Sequence, residues 1–272
     1  MRLTVLQLKV TDDKSANLKK VERLCREETI RESDFLVLPE MFNCPYEEKR
    51  FEEFAEEIPG RSTELLSRVA RETETYIVGG SIPEKSPKKT EEGIFNTSVI
   101  LDPDGEIIGK HRKIHLFRVD YPGRIRFDEA KYLNSGDEVT VVETDYGKVG
   151  VAICYDLRFP ELIRSMTQAG SRMIFFPAAF NTTTGPAHWR TLLRTRAIDN
   201  QVFVVAASPA RNRDSSYRAY GHSLVADPWG EVLAEAGEAE ATLDLKIDLD
   251  KVEEVRKRLP LLESLRPEVY RD

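Results

Sequence analysis

Three residues of complementary chemistry stand at the ends of short apolar runs. Cys154 follows Val151-Ala152-Ile153 at a point where a strand pattern gives way to a helical one. Glu40 ends the run Leu36-Val37-Leu38-Pro39, and Lys113 lies within His111-Arg112-Lys113-Ile114-His115. A side chain at a strand end is held rigidly, and unpaired N–H groups of the next helix lie beside it. A thiol, a carboxylate and an ammonium placed in this way are suited to acyl transfer.

The chemistry that these groups predict is hydrolysis of an amide or a nitrile. Glu40 would take the thiol proton, and the Cys154 sulfur would attack the substrate carbon. Lys113 and the backbone N–H of Tyr155 would stabilise the oxyanion, a contribution of about 2.7–4 kcal/mol for each donor. Glu40 would then protonate the departing ammonia and activate water, which requires a pKa near the working pH. A lysine beside the thiol is expected to lower the pKa of Cys154.

Each of these residues also has a plain structural interpretation. A free cysteine at a strand end is often a small buried apolar group. Glu40 could cap a helix or face solvent, although burial would raise its pKa into the range of a general base. Lys113 could be an ordinary surface charge. His111 and His115 have a spacing seen in metal sites, but their segment has a strand pattern and lacks a third ligand at a sensible spacing, so no metal is predicted.

Composition narrows the class of protein. The chain has 272 residues, of which 40% are hydrophobic and 32% are charged, enough for one large α/β domain with a substantial core. The net charge of -7 argues against binding nucleic acid, which needs a basic surface. With three cysteines and no CxxC spacing, a disulfide framework or a structural zinc site is not expected. The first ten residues lack the features of a signal peptide, and no apolar run approaches the roughly 20 residues that span a bilayer. We therefore expect a cytoplasmic protein that does not bind membranes.

The elements that must position the three residues follow from periodicity. Helical patterns alternate with strand patterns, which predicts sheets that are covered by helices on one face. Strands are expected at 2–10, 34–38, 76–82, 96–101, 106–112, 139–145, 148–154, 172–178, 202–208, 222–226, 231–235 and 241–248, and helices at 14–30, 61–73, 159–169, 187–199 and 249–258. Two Asp-Pro-x-Gly turns, at 102–105 and 227–230, predict hairpins. Residues 116–138 show little periodicity and many aromatic and charged side chains, so we expect a long loop that folds over a site.

The motifs around these residues resemble those of a known family. The chain is similar to the nitrilase superfamily of carbon–nitrogen hydrolases, whose Glu-Lys-Cys triad matches Glu40, Lys113 and Cys154. The likeness covers nearly the whole chain and is greatest to the omega-amidase branch. The segments that carry it are Leu38-Pro39-Glu40, His111 to Phe117, Tyr121-Pro122-Gly123, Phe127-Asp128-Glu129, Cys154 to Glu161, Ala179 to Trp189, Ala207 to Arg211, and Tyr220 to Ser223 with Asp227 to Glu231.

This resemblance implies a fold and an assembly. The fold would be a four-layer α-β-β-α sandwich that residues 1–272 form as a single domain. The protein would need no cofactor and would assemble as a homodimer or a higher homo-oligomer. The C-terminal tail, about 259–272, would reach across the dimer interface.

The resemblance also implies further site residues. Glu129 would be a second catalytic acid that holds Lys113 and positions the substrate or water. Tyr46, Phe180 and Thr184 would line the substrate pocket, and Arg158 would bind the free carboxylate of an α-keto acid amide. A guanidinium suits bidentate recognition of a carboxylate. The alternative for Arg158 is a structural ion pair with Asp156 or Glu161.

Three functions are consistent with the sequence. The first is an omega-amidase that converts α-ketoglutaramate or α-ketosuccinamate to the keto diacid and ammonia, which the segment Asn181-Thr182-Thr183-Thr184 favours. The second is another enzyme with the same triad, such as a deaminated glutathione amidase, an N-carbamoyl hydrolase or a nitrilase. The third is a catalytically idle member that binds a partner, which an intact triad argues against.

Overall fold

The computed structural model describes residues 1–86 and 93–270, which form a mixed α/β structure. Its helices are α1 Lys14–Cys25, α2 Glu28–Arg31, α3 Arg50–Phe54, α4 Arg61–Thr73, α5 Pro160–Gln168, α6 Gly185–Asn200, α7 Asp250–Arg258 and α8 Pro267–Tyr270. Its strands are β1 Arg2–Gln7, β2 Phe35–Val37, β3 Tyr76–Val78, β4 Ile82–Lys85, β5 Ile94–Leu101, β6 Ile107–Arg112, β7 Arg118–Tyr121, β8 Ile125–Asp128, β9 Thr140–Val142, β10 Val149–Val151, β11 Met173–Pro177, β12 Phe203–Ala207, β13 Leu224–Ala226, β14 Val232–Glu235 and β15 Ala241–Lys246.

Two large sheets carry the site. The first has the order β15-β1-β2-β3-β5-β4, and β6 also pairs with β5. The second has the order β14-β13-β12-β11-β10-β9. The central strands β1, β2 and β3 run parallel, as do β10, β11 and β12. Parallel strands place their carboxyl ends at one edge, where residues that follow β2 and β10 can meet.

Alternation along the strands produces the layers. Val5 and Val37 of the first sheet pack against Val151 and Phe175 of the second in one buried cluster between the sheets. The neighbouring residues Leu6 and Leu36 point the other way and pack against α1 and α4. On the second sheet, the residues that face outward pack against α5 and α6. Because successive side chains of a strand point to opposite faces, each sheet is apolar on both sides. The predicted α-β-β-α sandwich is confirmed.

Several local predictions are confirmed, and others need correction. Both Asp-Pro-x-Gly turns join antiparallel strands, and Gly105 and Gly230 have the positive φ that such turns require. The helix predicted at 14–30 is instead α1 and α2, because the chain turns at Arg26 and Glu27. The strand predicted at 76–82 stops at Val78, and Gly80 with φ 58° precedes β4.

The expectation of a structureless loop at 116–138 is wrong. Its first half is a hairpin of β7 and β8, followed by a short 3₁₀ helix, Glu129–Lys131. Most residues of the hairpin are exposed or half-buried, so the alternation of apolar and polar residues that reveals a strand is weak here. The hairpin nevertheless places Glu129 at the site.

The C-terminal tail lies at the surface of the chain. Val269 is 62% exposed and Tyr270 is 66% exposed, and both belong to α8. Within residues 1–86 and 93–270, none of the helices combines the length and apolar character needed to cross a bilayer.

Candidate active site

Cys154 lies at a sharp turn of the backbone between the second sheet and α5. Strand β10 ends at Val151, a 3₁₀ helix runs from Cys154 to Arg158, and α5 begins at Pro160. Cys154 itself has φ 46°, a left-handed conformation that costs a residue other than glycine about 1–3 kcal/mol. The surrounding contacts therefore hold the thiol in a strained, fixed position, as is common at reactive sites.

The contacts that hold this turn converge on the buried carboxylate of Asp156. Its Oδ2 accepts hydrogen bonds from the N–H of Ile153 at 3.0 Å and pairs with His111 Nε2 at 3.1 Å. Its Oδ1 accepts from the N–H of His115 at 2.9 Å and lies 2.7 Å from His115 Nδ1. Burial alone would raise the pKa of Asp156, but the two histidines outweigh it and hold that pKa far below the usual range. Because the histidines flank Lys113, one carboxylate fixes the cysteine and the lysine relative to each other.

The lysine of the site is fully buried among oxygen atoms. Lys113 Nζ donates to Glu40 Oε1 at 3.0 Å, to Glu129 Oε1 at 2.9 Å and to the Tyr46 hydroxyl at 3.3 Å. Burial would lower the pKa of Lys113, yet the two carboxylates raise it well above its ordinary value. Lys113 is therefore a permanent cation and serves as an electrostatic group rather than as a proton donor.

The acid predicted to hold Lys113 is in place. Glu129 is fully buried, and its second oxygen accepts a hydrogen bond from the backbone N–H of Phe117. Tyr46 donates its hydroxyl to Glu129, so the ring is oriented toward Glu129 and Lys113. These contacts lock the lysine in one position.

Glu40 and Cys154 face each other across the centre of the site. Glu40 Oε1 accepts from Asn96 Nδ2 at 2.7 Å, whereas the buried Oε2 has no hydrogen-bond partner among the described residues. The thiol of Cys154 interacts with the Glu40 carboxylate and with the backbone N–H of Ala179. Burial raises the pKa of Glu40, while the charge of Lys113 opposes that shift. Among the described residues, Glu40 thus keeps one buried oxygen without a hydrogen-bond partner, and its carboxylate interacts with the thiol.

The expected low pKa of the thiol needs correction. Lys113 does favour the thiolate, but burial and the negative charge of Glu40 outweigh it and raise the pKa of Cys154 well above its ordinary value. The resting nucleophile is therefore a thiol, and it must lose its proton to a base during the reaction.

A small pocket opens in front of the thiol. It is lined by the predicted pocket residues Arg158, Phe180 and Thr184 together with Phe117, Cys154, Tyr155, Ala179, Asn181 and Tyr217. Four of these nine residues are aromatic, whereas Tyr46, the fourth predicted pocket residue, lines a separate cavity beside Glu40. The thiol and the guanidinium are polar groups of the pocket that would orient a ligand.

Arg158 enters this pocket without a carboxylate partner. Its guanidinium lies 4.7 Å from the centre of the Phe180 ring, and Nη1 is 3.2 Å from His188 Nδ1. The structural ion pair with Asp156 or Glu161 is not formed: Asp156 is occupied by His111 and His115, and in residues 1–86 and 93–270 no acidic side chain pairs with Arg158. Burial lowers the pKa of Arg158. The site therefore holds a partly dehydrated cation that an anionic ligand would neutralise.

Two residues of the site were missed at the sequence level. Asn96 lies within β5 and supports Glu40, and an amide inside a strand pattern was a weak signal for it. Tyr217 comes from a polar loop, yet its ring centre is 4.5 Å from that of Tyr46 and its hydroxyl donates to Ala179 O. The residues around Tyr217 give no periodic pattern, so only the folded chain reveals its place.

Comparisons with known sequences find matches along nearly the whole chain. The sequence profile described as carbon-nitrogen hydrolase matches residues 2–257. The omega-amidases NIT2 of Xenopus tropicalis and of Mus musculus are each 48% identical over 269 residues, which is 99% of this chain and 96% of theirs. The human omega-amidase NIT2 is 47% identical over the same lengths.

Solved structures share the fold. Saccharomyces cerevisiae Nit3, a member of branch 10 of the nitrilase superfamily, superposes with a TM-score of 0.88 and 41% identity, covering 97% of this chain and 96% of its own. A carbon-nitrogen hydrolase from Helicobacter pylori G27 gives a TM-score of 0.86 at 26% identity, covering 99% and 97%. The chain therefore belongs to the carbon-nitrogen hydrolase family, and it is an amidohydrolase.

Proposed function

We propose that this enzyme hydrolyses the terminal amide of an α-keto diacid monoamide, α-ketoglutaramate or α-ketosuccinamate, to the keto diacid and ammonia. The observation that carries the proposal is that the Arg158 guanidinium, which has no acidic partner among the described residues, lines the same pocket as the Cys154 thiol. A substrate with a carboxylate at one end and an amide at the other matches both groups. The similarity to omega-amidases over 99% of the chain supports the same substrate class.

The first half of the reaction would use Glu40 as base and then as acid. Oε2 of Glu40 takes the proton of Cys154 as the sulfur bonds to the amide carbon. The negative charge that develops on the amide oxygen is stabilised by Lys113 and by the backbone N–H of Tyr155. Glu40 then gives its proton to the nitrogen, the C–N bond breaks, and ammonia and a thioester result.

The second half would use the same carboxylate on water. Glu40 takes a proton from a water molecule while the water oxygen bonds to the thioester carbon. The C–S bond then breaks, and the Cys154 thiolate takes the proton from Glu40. Glu129 and Tyr46 take no proton in this scheme. They hold Lys113, which remains a cation throughout because its pKa is raised well above its ordinary value.

A substrate panel tests the proposal. Ammonia release is measured with α-ketoglutaramate, valeramide, valeronitrile and an N-carbamoyl amino acid, and release of cysteinylglycine is measured with deaminated glutathione, all at equal concentrations. We expect α-ketoglutaramate to give the highest kcat/KM, because it alone joins a carboxylate to a primary carboxamide on an aliphatic chain. Higher kcat/KM for valeramide or valeronitrile would contradict the role of Arg158. No turnover of any compound would support an idle, partner-binding protein instead.

We also propose that the chain forms one domain and works as a homodimer in the cytoplasm. One buried cluster between the two sheets supports the single domain. The exposed Val269 and Tyr270 of the C-terminal tail support pairing through that tail, and the unpaired thiols of Cys25, Cys44 and Cys154 are typical of a reducing compartment. Sedimentation of the full chain beside a chain that ends at residue 258 tests the pairing. Equal mass for the two would contradict a role of the tail.

A further inference from the structure

A second cavity reaches the active site from the side of Glu40. It has a volume of about 30 Å³, room for about two water molecules, and its inner part is lined by Glu40, Met41 and Tyr46. Cys154 and Arg158 line the first pocket only, while Glu40 lines the second cavity only. The candidate substrate pocket and this cavity therefore approach the reacting centre from different directions.

The second cavity adjoins a cleft at the surface. Four residues line both the cavity and the cleft, namely Val10, Pro45, Asn212 and Ser215. Both positive and negative side chains border that cleft, among them Lys9, Arg50, Glu47 and Asp214. The mixed charge favours neither anions nor cations, so the cavity suits small neutral polar molecules. We call the cavity and the cleft together the Glu40 passage.

Tyr217 and Ala179 separate the passage from the substrate pocket. They are the two residues that line both cavities, and the Tyr217 hydroxyl donates to the carbonyl of Ala179. The Tyr217 ring also packs on Tyr46 and Phe127, which fixes it in place. The wall between the two cavities is thus formed by Ala179 and by the packed ring of Tyr217.

The chemistry of the second half-reaction requires such a division. In the thioester, the acyl chain lies between Cys154 and Arg158 and fills the narrow substrate pocket. Water must then approach the thioester carbon from the side where a base can take its proton, and that base is Glu40. In the first half-reaction the same carboxylate protonates the departing nitrogen, so ammonia leaves on the Glu40 side.

We propose that the Glu40 passage carries water inward to the thioester and ammonia outward, while the amide substrate uses the pocket on the Arg158 side. This inference rests on the proposed function, in which Glu40 is the base for deacylation. In this step water loses a proton to Glu40, the water oxygen replaces sulfur on the acyl carbon, and the departing thiolate takes the proton from Glu40. The passage selects the nucleophile by size, because its walls are fixed by packing.

Competition between nucleophiles tests the passage. Glutaramate has the carboxylate and the amide of the proposed substrate without a ketone that would react with hydroxylamine. The enzyme is supplied with glutaramate and either hydroxylamine or the slightly larger N-methylhydroxylamine, and the ratio of hydroxamate to acid is measured. Ser215→Phe narrows the passage, so we expect the share of the N-methyl hydroxamate to fall roughly tenfold relative to that of the unsubstituted hydroxamate.

The neighbouring residue provides a matched control. Ser216 is exposed and lines neither cavity, and both serine hydroxyls bond to Glu47 Oε1, at 3.5 Å for Ser215 and 2.8 Å for Ser216. Ser216→Phe adds the same ring one residue away and should leave the nucleophile ratio unchanged. Val10→Phe narrows the passage from the opposite wall and should repeat the effect of Ser215→Phe, even if one of the two variants folds poorly.

Two results would overturn the passage. One is an unchanged nucleophile ratio in both narrowed variants. The other is a lower kcat/KM for glutaramate with an unchanged ratio, which would make the cavity an entrance for the amide. Failure of the proposed function would appear differently, as absence of ammonia release by the unaltered enzyme.

Discussion

Replacing Arg158 by methionine should separate recognition of the substrate from its chemistry. Methionine keeps much of the length and apolar contact of the side chain over Phe180 but removes the charge. We expect kcat/KM for α-ketoglutaramate to fall sharply, with most of the change in KM. The same parameter for valeramide, which has no carboxylate, should stay within about twofold of the unaltered enzyme.

The magnitude follows from the hydrogen bonds that the guanidinium can form. A hydrogen bond to a charged group contributes about 1.5–3 kcal/mol, which corresponds to a factor of about 10 to 150 in kcat/KM. Bidentate contact favours the upper part of that range. Stability should respond differently. In the free enzyme Arg158 is partly dehydrated without an acidic partner, as its lowered pKa shows, so its removal should leave the melting temperature unchanged or raise it.

Arg164→Met is the matched control. Arg164 also has a pKa lowered by burial, but it lies on α5 outside the pocket and donates to the carbonyl of Asp199 at 2.6 Å. Its loss should cost about 1–3 kcal/mol of folding free energy, because a buried carbonyl loses its donor, and should leave substrate preference unchanged. The assay compares ammonia release from the two amides and thermal unfolding of the three proteins. Equal losses of kcat/KM for α-ketoglutaramate and valeramide in Arg158→Met would refute the assignment.

Four further outcomes are expected. Cys154→Ala should abolish ammonia release while the far-ultraviolet circular dichroism stays unchanged; measurable turnover would refute the thioester mechanism. Tyr46→Phe should lower kcat roughly tenfold with little change in KM, since its hydroxyl helps to hold Lys113 rather than the substrate; a change confined to KM would place it in substrate binding instead. In the pH profile, kcat/KM should fall with acid through a midpoint above the ordinary glutamate value of about 4.3, because protonated Glu40 cannot accept the thiol proton and burial raises its pKa; constant activity down to that pH would contradict its role as base. Glu84→Gln should lower the free energy of unfolding by about 2 kcal/mol at pH 7. Burial alone would raise the pKa of Glu84, but hydrogen bonds from Arg112, Thr97 and Lys110 lower it from 4.5 to about 2, so its contribution is complete above pH 4.5 and is lost as pH falls toward 2. Urea unfolding at several pH values should show the difference between the two proteins narrowing in acid, and a constant difference would exclude this origin.

The sequence alone determined the reactive groups and the frame that holds them. Cys154 and Glu40 each follow an apolar strand, and strand and helix patterns arise from contacts that are local in the chain. The Asp-Pro-x-Gly turns predicted their hairpins for the same reason, because turn geometry depends on a few consecutive residues. The resemblance of the motifs around Lys113 to a known family then indicated amide hydrolysis, which the comparisons confirm.

Tertiary structure decided how these groups behave. The pKa of Cys154 is raised rather than lowered, because complete burial and the charge of Glu40 outweigh the lysine. Within the described part of the chain, Arg158 has no acidic partner because two histidines from a distant segment already occupy Asp156. The wall between the substrate pocket and the Glu40 passage is Tyr217, which packs on Tyr46 from 171 positions away in the chain. Burial, dielectric environment and cavities depend on which distant segments pack together, and no pattern of neighbouring residues encodes that packing directly.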